Sequence, residues 1–314
     1  MTDAIAMSLP RKLLPLLPLL LALAPALQAA QTVNLPAWAC NANNDRIFRS
    51  GLQLNEWVPS TPSLGSGGPA PGQQVRSYAI AGLGSGAQKV YLYIPPGYNP
   101  AYPAPLVLAL HGTAGSMADS YAQNVRNTWQ NVAATRGFIV AAPVANGPSG
   151  SWTDPWATPP NDYTFFAVLM ADLRAAYNID DSRILLWGFS AGGHIAHDLL
   201  VNGAVPALDE NHLASYAVSA GRLFAAACLG DTEAACQNRL NTVARKLPLD
   251  IHLGNNDPMG FPPYSADLDP GRFQAAGWVL DGDLNYRVFV GGHTYSTSHL
   301  TEIWNFSCRF ALSP

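Results

Sequence analysis

Residues 75–314 alternate between short apolar runs and longer stretches whose apolar residues recur at helical spacing. A short continuous apolar run predicts a strand that is buried on both faces, and a longer 3.6-residue repeat predicts a helix. This pattern predicts strands at 77–80, 89–94, 105–110, 138–142, 183–187, 216–219, 249–253 and 286–290. Helices are predicted at 118–136, 163–177, 191–202 and 298–310.

The order of these elements indicates the fold class. Strands that alternate with helices form a mostly parallel central sheet covered by helices on both faces, an α/β fold. We see no internal repeat, and we expect residues 75–314 to form a single domain. Residues 31–74 are polar and turn-rich and end in a Gly- and Pro-rich stretch, so we predict a flexible N-terminal surface segment there.

Residues 1–30 are predicted to be a signal peptide. Arg11 and Lys12 precede an apolar run at 13–27, and small residues follow it. A positive region, a short apolar region and small residues are typical of a secretory leader, with cleavage expected near Ala29 or Ala30. The sequence therefore predicts a secreted or periplasmic protein.

A membrane anchor is the alternative for this apolar run. The run has 15 residues and contains three prolines, whereas a spanning helix needs about 20 apolar residues, so we expect no stable anchor. Translation could start at Met1 or at Met7, and the second start would leave a tidier positive region.

Composition narrows the function classes. Of the 314 residues, 48% are hydrophobic and 12% are charged, which predicts a folded chain with a substantial core. The net charge of -4 includes no basic surplus, so nucleic acid is not an expected partner. The sequence does not indicate an oligomeric state.

The four cysteines, all beyond the predicted leader, indicate two disulfides, for which three connectivities exist. Cys228 and Cys236 close a short loop and are the most plausible pair, which leaves Cys40 to join Cys308. Zinc is the competing interpretation, but no Cys-x-x-Cys or His-x-x-x-His pair accompanies the cysteines. We therefore expect no metal and no cofactor.

A nucleophile is predicted at Ser190. The segment from Gly188 to Gly192 reads Gly-Phe-Ser-Ala-Gly, and it lies between the strand at 183–187 and the helix at 191–202. A serine in a strand–turn–helix context is raised above the sheet edge at a helix N-terminus, where an oxyanion is stabilised. The five-residue motif alone is a weak signal, and the alternative is a Gly-rich turn without chemistry.

An oxyanion hole would need two backbone N–H donors. The residue after the nucleophile, Ala191, supplies one, and the loop after an earlier strand usually supplies the other. Residues 111–116 follow the strand at 105–110, and we expect the second donor to be the N–H of Thr113. His111 is expected to be structural.

The base and the acid are expected after the nucleophile in chain order. His293 follows the strand at 286–290 and two glycines, which favours it over His299 in the closing helix. Asp257 follows the strand at 249–253, which favours it over Asp267 and Asp269. The remaining candidates are expected to be structural: His194, His197, His212, His252 and Asp283.

The chain resembles the esterase family of polyhydroxybutyrate depolymerases and feruloyl esterases, which are secreted α/β-hydrolases. The resemblance runs from about residue 75 to the C-terminus and is carried by the motifs at 91–97, 110–113, 177–183, 188–193, 254–257 and 292–295. It implies the α/β-hydrolase fold and a Ser-His-Asp serine esterase. The chain departs from the family at Thr113, where Cys is frequent, and at Tyr295, where Trp is frequent. The loop at 258–264 also departs from the family pattern, so the resemblance does not define the substrate rim.

The expected function is carboxylic ester hydrolysis through an acyl-enzyme, on a polyester of the polyhydroxyalkanoate type or a related ester. The alternatives are a feruloyl or acetylxylan esterase acting on plant cell walls, a secreted serine peptidase, and a binding protein on a hydrolase scaffold. Four aromatic residues are expected at a substrate rim, with ordinary loop packing as the alternative: Trp152, Trp156, Phe261 and Tyr264.

Overall fold

The structure is a computed structural model that describes residues 30–40, 60–84 and 86–313. Residues 1–29 of the predicted leader, which include Ala29 and both candidate start residues, lie outside the described residues, and its cleavage remains a prediction. Within the described ranges, no helix combines the length and apolar character needed to cross a membrane.

The central sheet has eight strands in the described residues, and most of them are parallel. The strands are β2 (Gly72–Tyr78), β3 (Gln88–Ile94), β4 (Ala104–Leu110), β5 (Ile139–Pro143), β6 (Ile179–Phe189), β7 (Ser215–Ser219), β8 (Leu249–Gly254) and β9 (Leu284–Phe289). Their spatial order is β2-β3-β5-β4-β6-β7-β8-β9. The pairs from β5 to β9 are parallel, whereas β3 runs antiparallel to both β2 and β5.

Helices cover both faces of this sheet. They are α1 (Ala118–Arg136), α2 (Asp162–Ala176), α3 (Ala191–Asn202), α4 (Glu233–Thr242), α5 (Asp269–Ala275) and α6 (Thr297–Ser307). Apolar residues of α1 and α6 share one core cluster with alternate strand residues, and those of α2 to α5 share the other. The predicted mostly parallel sheet with helices on both faces is confirmed.

The central strand β4 shows why the strands of this sheet appear in the sequence as continuous apolar runs. Leu106, Leu108 and Leu110 belong to one core cluster, whereas Val107 and Ala109 belong to the other. Successive side chains of a strand point to opposite faces, so a strand between two helical layers buries every side chain. All seven residues of β4 are buried.

The described parts of the N-terminal segment are attached to the domain, which differs from the flexible surface segment that was predicted. A short strand β1 (Thr32–Asn34) pairs antiparallel with β10 (Phe310–Leu312). Further along, the N–H of Ser63 donates to the carbonyl of Ile179 over 2.8 Å. Long-range backbone pairing of this kind is not visible in local composition, which is why the turn-rich sequence was interpreted as free.

Two disulfides are present, with the predicted partners. Cys228 and Cys236 are bridged with a Cα–Cα distance of 5.2 Å, and Cys40 and Cys308 with 4.9 Å. The second bridge joins the N-terminal segment to the end of α6, and the indole Nε1 of Trp304 donates to the carbonyl of Cys40 over 2.8 Å. Both chain ends of the described structure are therefore held at the same place.

Candidate active site

Ser190 lies in the sharp turn between β6 and α3. Its φ of 53° is in the left-handed region, which is costly for a residue with a side chain. The turn requires glycine on both sides of the serine, because a Cβ on Gly188 would lie 2.1 Å from the carbonyl oxygen of Gly192. The N–H of Ser190 donates to the carbonyl of Ser219 at the end of β7, which fixes the turn to the neighbouring strand.

His293 stands between Ser190 and a buried carboxylate. Its Nε2 is 2.9 Å from the Oγ of Ser190, and its Nδ1 is 3.0 and 3.1 Å from the two carboxylate oxygens of Asp257. An Nδ1–H donated to the carboxylate leaves Nε2 free to accept the serine proton. The arrangement can therefore activate a hydroxyl as a nucleophile.

Asp257 is fully buried and is oriented by its own loop. One carboxylate oxygen accepts the N–H of Met259 over 2.9 Å. The loop that carries it is bonded to the loop that carries His293, because the N–H of Asn256 donates to the carbonyl of Gly291 over 2.9 Å. The side chain of Asn255 accepts the N–H of Gly291 over 3.1 Å. These bonds set the spacing between acid and base.

The loop after β4 lies against the nucleophile. A Cβ on Gly112 would come within 3.0 Å of the Cβ of Ser190. Within the described chain, the backbone N–H groups of Thr113 and Ala191 donate to no protein acceptor. Two unpaired donors on the segments that flank a serine hydroxyl can bind a negatively charged oxygen.

His111 orients one of these donors. Its ring is buried, its Nε2 accepts the N–H of Ala145 over 3.0 Å, and its Nδ1 therefore donates to the carbonyl of Gly112 over 2.6 Å. Burial lowers its pKa to about 4, so the ring is neutral near pH 7. The carbonyl of Gly112 and the N–H of Thr113 belong to one trans peptide and point in opposite directions. Holding the carbonyl thus directs the N–H the other way.

The prediction that Trp152 lies on a substrate rim is wrong. Its side chain is buried, and its Nε1 donates to the carbonyl of His111 over 2.8 Å. Its ring packs against the ring of Phe166 with the centroids 5.4 Å apart. A buried indole N–H needs a hydrogen-bond acceptor, and the carbonyl of His111 provides it here. Trp152 therefore packs inside the protein and holds the backbone at the end of β4.

The other three predicted rim residues are accessible. Trp156 is 60% exposed, Phe261 53% and Tyr264 39%. Phe261 and Tyr264 lie on the loop that follows Asp257, so they are on the same edge of the sheet as the serine. Their contact with substrate stays a prediction.

The alternative bases and acids are occupied elsewhere. The ring of His299 packs on that of Phe289, with the centroids 4.1 Å apart. The carboxylate of Asp269 is buried, where it accepts the N–H of Leu223 and pairs with Arg272 over 2.6 Å.

Among the described residues, no group of three or more His, Cys, Asp or Glu side chains is arranged to hold a metal ion.

Arg222 is a charged residue at this edge that sequence analysis did not single out. It follows β7 by three residues, and β7 lies between β6 and β8, the strands that lead to Ser190 and Asp257. A charged residue directly after an apolar strand is the signal that could have found it.

The central part of the chain matches a family of known proteins. Residues 91–223 match the BD-FAE family model. The chain is also 28% identical over 132 residues to the bifunctional acetylxylan esterase/xylanase XynS20E of Neocallimastix patriciarum. That alignment covers 42% of this chain and 18% of the relative, so the chain spans about a fifth of the length of the curated relative it matches.

Solved structures share the fold. A ferulic acid esterase superposes with a TM-score of 0.55 at 16% identity, covering 76% of this chain and 98% of the other. An S-formylglutathione hydrolase from Agrobacterium tumefaciens gives a TM-score of 0.52 at 20% identity, covering 76% and 95%. Esterase 2 of Thermogutta terrifontis, phosphorylated by paraoxon, gives 0.54 at 17%, covering 76% and 92%. The fold is therefore the α/β-hydrolase fold.

Proposed function

We propose that this feruloyl-esterase-type α/β-hydrolase is a serine carboxylic ester hydrolase that acts through an acyl-enzyme on Ser190. The observation that carries the proposal is the hydrogen-bonded row of Ser190, His293 and Asp257, with 2.9 Å from Oγ to Nε2 and 3.0 Å from Nδ1 to the carboxylate. The family resemblance and the curated esterase relative support the same chemistry.

The proposed reaction has two steps. The Oγ of Ser190 attacks the ester carbonyl while the Nε2 of His293 takes the hydroxyl proton, and that proton then leaves with the departing alcohol. The N–H groups of Thr113 and Ala191 bind the oxyanion. A water molecule, deprotonated by the same imidazole, hydrolyses the acyl-enzyme and restores the Ser190 hydroxyl.

The substrate class follows from the resemblance. We propose an acyl ester of the feruloyl or acetylxylan type, because the curated relative is named an acetylxylan esterase/xylanase and a solved structure of the same fold is named a ferulic acid esterase. Polyester cleavage is a second candidate. Exposed apolar side chains flank the acid and the base, with Phe261 53% and Val290 91% exposed, and such a surface suits an apolar polymer chain.

We also propose that the protein works outside the cytoplasm. The disulfides Cys40–Cys308 and Cys228–Cys236 support an oxidising compartment. N-terminal sequencing of the exported protein is expected to begin directly after Ala29 or Ala30. A mature protein that retains residues 1–29 would contradict the proposal.

The test of the activity is Ser190→Ala assayed on p-nitrophenyl acetate. We expect kcat to fall by about 10⁵-fold, since the nucleophile is lost while the fold stays intact. Ser298→Ala, a change in an exposed serine of α6, is the matched control and should retain full activity. Labelling by a fluorophosphonate probe should disappear only in the Ser190 variant.

A panel of substrates separates the alternatives. Methyl ferulate and acetylated xylan test the cell-wall esters, polyhydroxybutyrate film tests the polyester, and a peptide anilide tests a peptidase. Hydrolysis of the anilide faster than of every ester would contradict the proposal. Retained turnover in Ser190→Ala would remove Ser190 from the mechanism.

A further inference from the structure

Arg222 occupies the same sheet edge as the proposed nucleophile. The residues between β7 and Arg222 pack closely on the first turn of α3, because a Cβ on Gly221 would lie 2.9 Å from the Cα of Gly193. Arg222 thus follows directly after a segment that touches the helix beginning at the Ser190 turn.

The guanidinium of Arg222 lies over one aromatic ring. Its Cζ lies 4.8 Å from the ring centroid of Tyr264, on the loop that follows Asp257. Its Nε is buried and has no hydrogen-bond partner, and no carboxylate of the described residues pairs with the side chain. A buried donor without an acceptor is costly, and such groups in native proteins call for an explanation.

The carboxylate of Asp269, which accepts the N–H of Leu223 next to Arg222, already pairs with another arginine. Arg272 lies over the ring of Phe224 at 4.8 Å, a similar stacking contact. Unlike Arg222, it is paired with Asp269 over 2.6 Å and with Glu233 over 2.5 Å. The comparison shows that this region of the protein neutralises one stacked arginine and leaves the adjacent one unpaired.

His194 connects Arg222 with the proposed active site. It lies on the first turn of α3, and its N–H donates to the carbonyl of Ser190 over 3.0 Å. Burial, with smaller contributions from the charges of Arg222 and His293, lowers the pKa of His194 to about 3. The three side chains are therefore close enough to interact electrostatically. Among the described residues, the buried Nε2 of His194 also has no hydrogen-bond partner.

We propose that Arg222, stacked on Tyr264, is a subsite for a carboxylate carried by the ester substrate. The inference rests on the proposed ester hydrolysis and adds a substrate class to it: esters with a free acid group within reach of the scissile bond. A guanidinium that stacks by its face presents its N–H edge, which fits a carboxylate in a bidentate way. The bound carboxylate would pair the positive charge of Arg222, which no carboxylate of the described residues pairs.

Two pairs of substrates test the subsite. Monomethyl adipate and methyl adipamate differ only in an acid or a neutral amide on the acyl side. 6-Acetoxyhexanoate and 6-acetoxyhexanamide differ in the same way on the alcohol side. We expect wild-type kcat/KM to favour the acid by about 10- to 100-fold in at least one pair, the range for a hydrogen bond to a charged group. The pair that responds tells which side of the ester the carboxylate occupies.

The variants separate recognition from folding. Arg222→Gln should abolish the preference for the acid and leave turnover of the two amides unchanged, and Arg222→Lys should keep part of the preference. Arg309→Gln is the matched control, because Arg309 also stacks on an aromatic ring, that of Phe306 at 4.9 Å, beyond the end of α6. It should change neither pair.

Two results would overturn the subsite. The first is equal wild-type kcat/KM for acid and amide in both pairs. The second is an equal loss on all four esters in Arg222→Gln, which would give Arg222 a structural role. If the wild type hydrolyses neither the two esters that carry a neutral amide nor p-nitrophenyl acetate, the ester hydrolase activity itself is contradicted, and the subsite with it.

Discussion

The imidazole of His111 donates from Nδ1 to the carbonyl oxygen of the next residue, Gly112, over 2.6 Å. The bond is possible because the N–H of Ala145 occupies Nε2 and leaves the proton on Nδ1. A ring locked in one tautomer holds one peptide in one orientation. The proposed oxyanion donor, the N–H of Thr113, is therefore set by a histidine that needs no contact with substrate.

Replacing His111 by Phe should lower kcat while KM stays nearly constant. The ring volume is kept, but the peptide before Thr113 loses its anchor, and complete loss of an oxyanion donor lowers kcat by about 100- to 1000-fold. The N–H of Ala145 becomes a buried unpaired donor, which should lower the free energy of unfolding by about 1–3 kcal/mol. Steady-state kinetics with p-nitrophenyl acetate and urea unfolding measure both effects. A variant with altered KM and unchanged kcat would argue against a positioning role.

Trp152→Phe should act on every ester alike. The change removes the indole donor to the carbonyl of His111 and keeps most of the buried ring, so kcat should fall by a similar factor for p-nitrophenyl acetate and p-nitrophenyl octanoate. Trp156→Ala, at an exposed position, should leave the free energy of unfolding within about 0.5 kcal/mol of wild type. If the loss of kcat in Trp152→Phe depends on acyl length, Trp152 contacts the substrate after all.

Local signals located the regular elements well. The helix predicted at 118–136 is observed at those residues, because Gly137, with a φ of 83°, ends it in the left-handed region. The helix at 191–202 ends in the same way at Gly203. The catalytic candidates could also be selected from sequence, since Ser190 and Asp257 follow buried strands, His293 follows β9, and these parallel strands end at one edge.

The elements that were missed depend on partners distant in sequence. Helix α4 buries only Cys236 and Leu240, so its apolar pattern is too weak to detect. Strand β1 exists because β10 pairs with it, and the two are separated by most of the chain. Trp152 was misplaced for the same reason: its acceptor, the carbonyl of His111, lies 41 residues earlier.

Gly192→Ala should be poorly tolerated. A Cβ there would lie 2.3 Å from the carbonyl oxygen of Leu110 and 2.7 Å from that of His111, and backbone atoms cannot move aside as a flexible side chain can. We expect a loss of about 3 kcal/mol or more in the free energy of unfolding, with little remaining activity. Gly271→Ala in α5 is the control, because its Cβ would meet open space. It should be neutral or stabilising by up to about 1 kcal/mol, and equal effects of the two changes would refute the close approach of α3 to β4.

Acidification should destabilise the protein through buried neutral histidines. His197 is fully buried and stacks on Phe273, and its Nε2 has no hydrogen-bond partner among the described residues. Burial, with a smaller contribution from the nearby His194, lowers its pKa from 6.5 to about 3. The unfolded chain therefore binds a proton at this site between pH 6.5 and 3 that the folded chain does not. The stability contributed by neutral His197 is fully present above pH 6.5 and is lost as the pH falls towards 3.

His197→Phe isolates this contribution, because the ring stack is kept and the titrating group is removed. Between pH 7 and pH 5 the wild type should lose about 2 kcal/mol more free energy of unfolding than the variant, the linkage of one proton over the interval below pH 6.5. Burial raises the pKa of Asp269 to about 6, which opposes the trend, but that carboxylate is common to both proteins and cancels in the difference. Urea unfolding followed by tryptophan fluorescence at pH 7, 6 and 5 measures it. Parallel pH profiles for the two proteins would show that His197 keeps an ordinary pKa in the folded state.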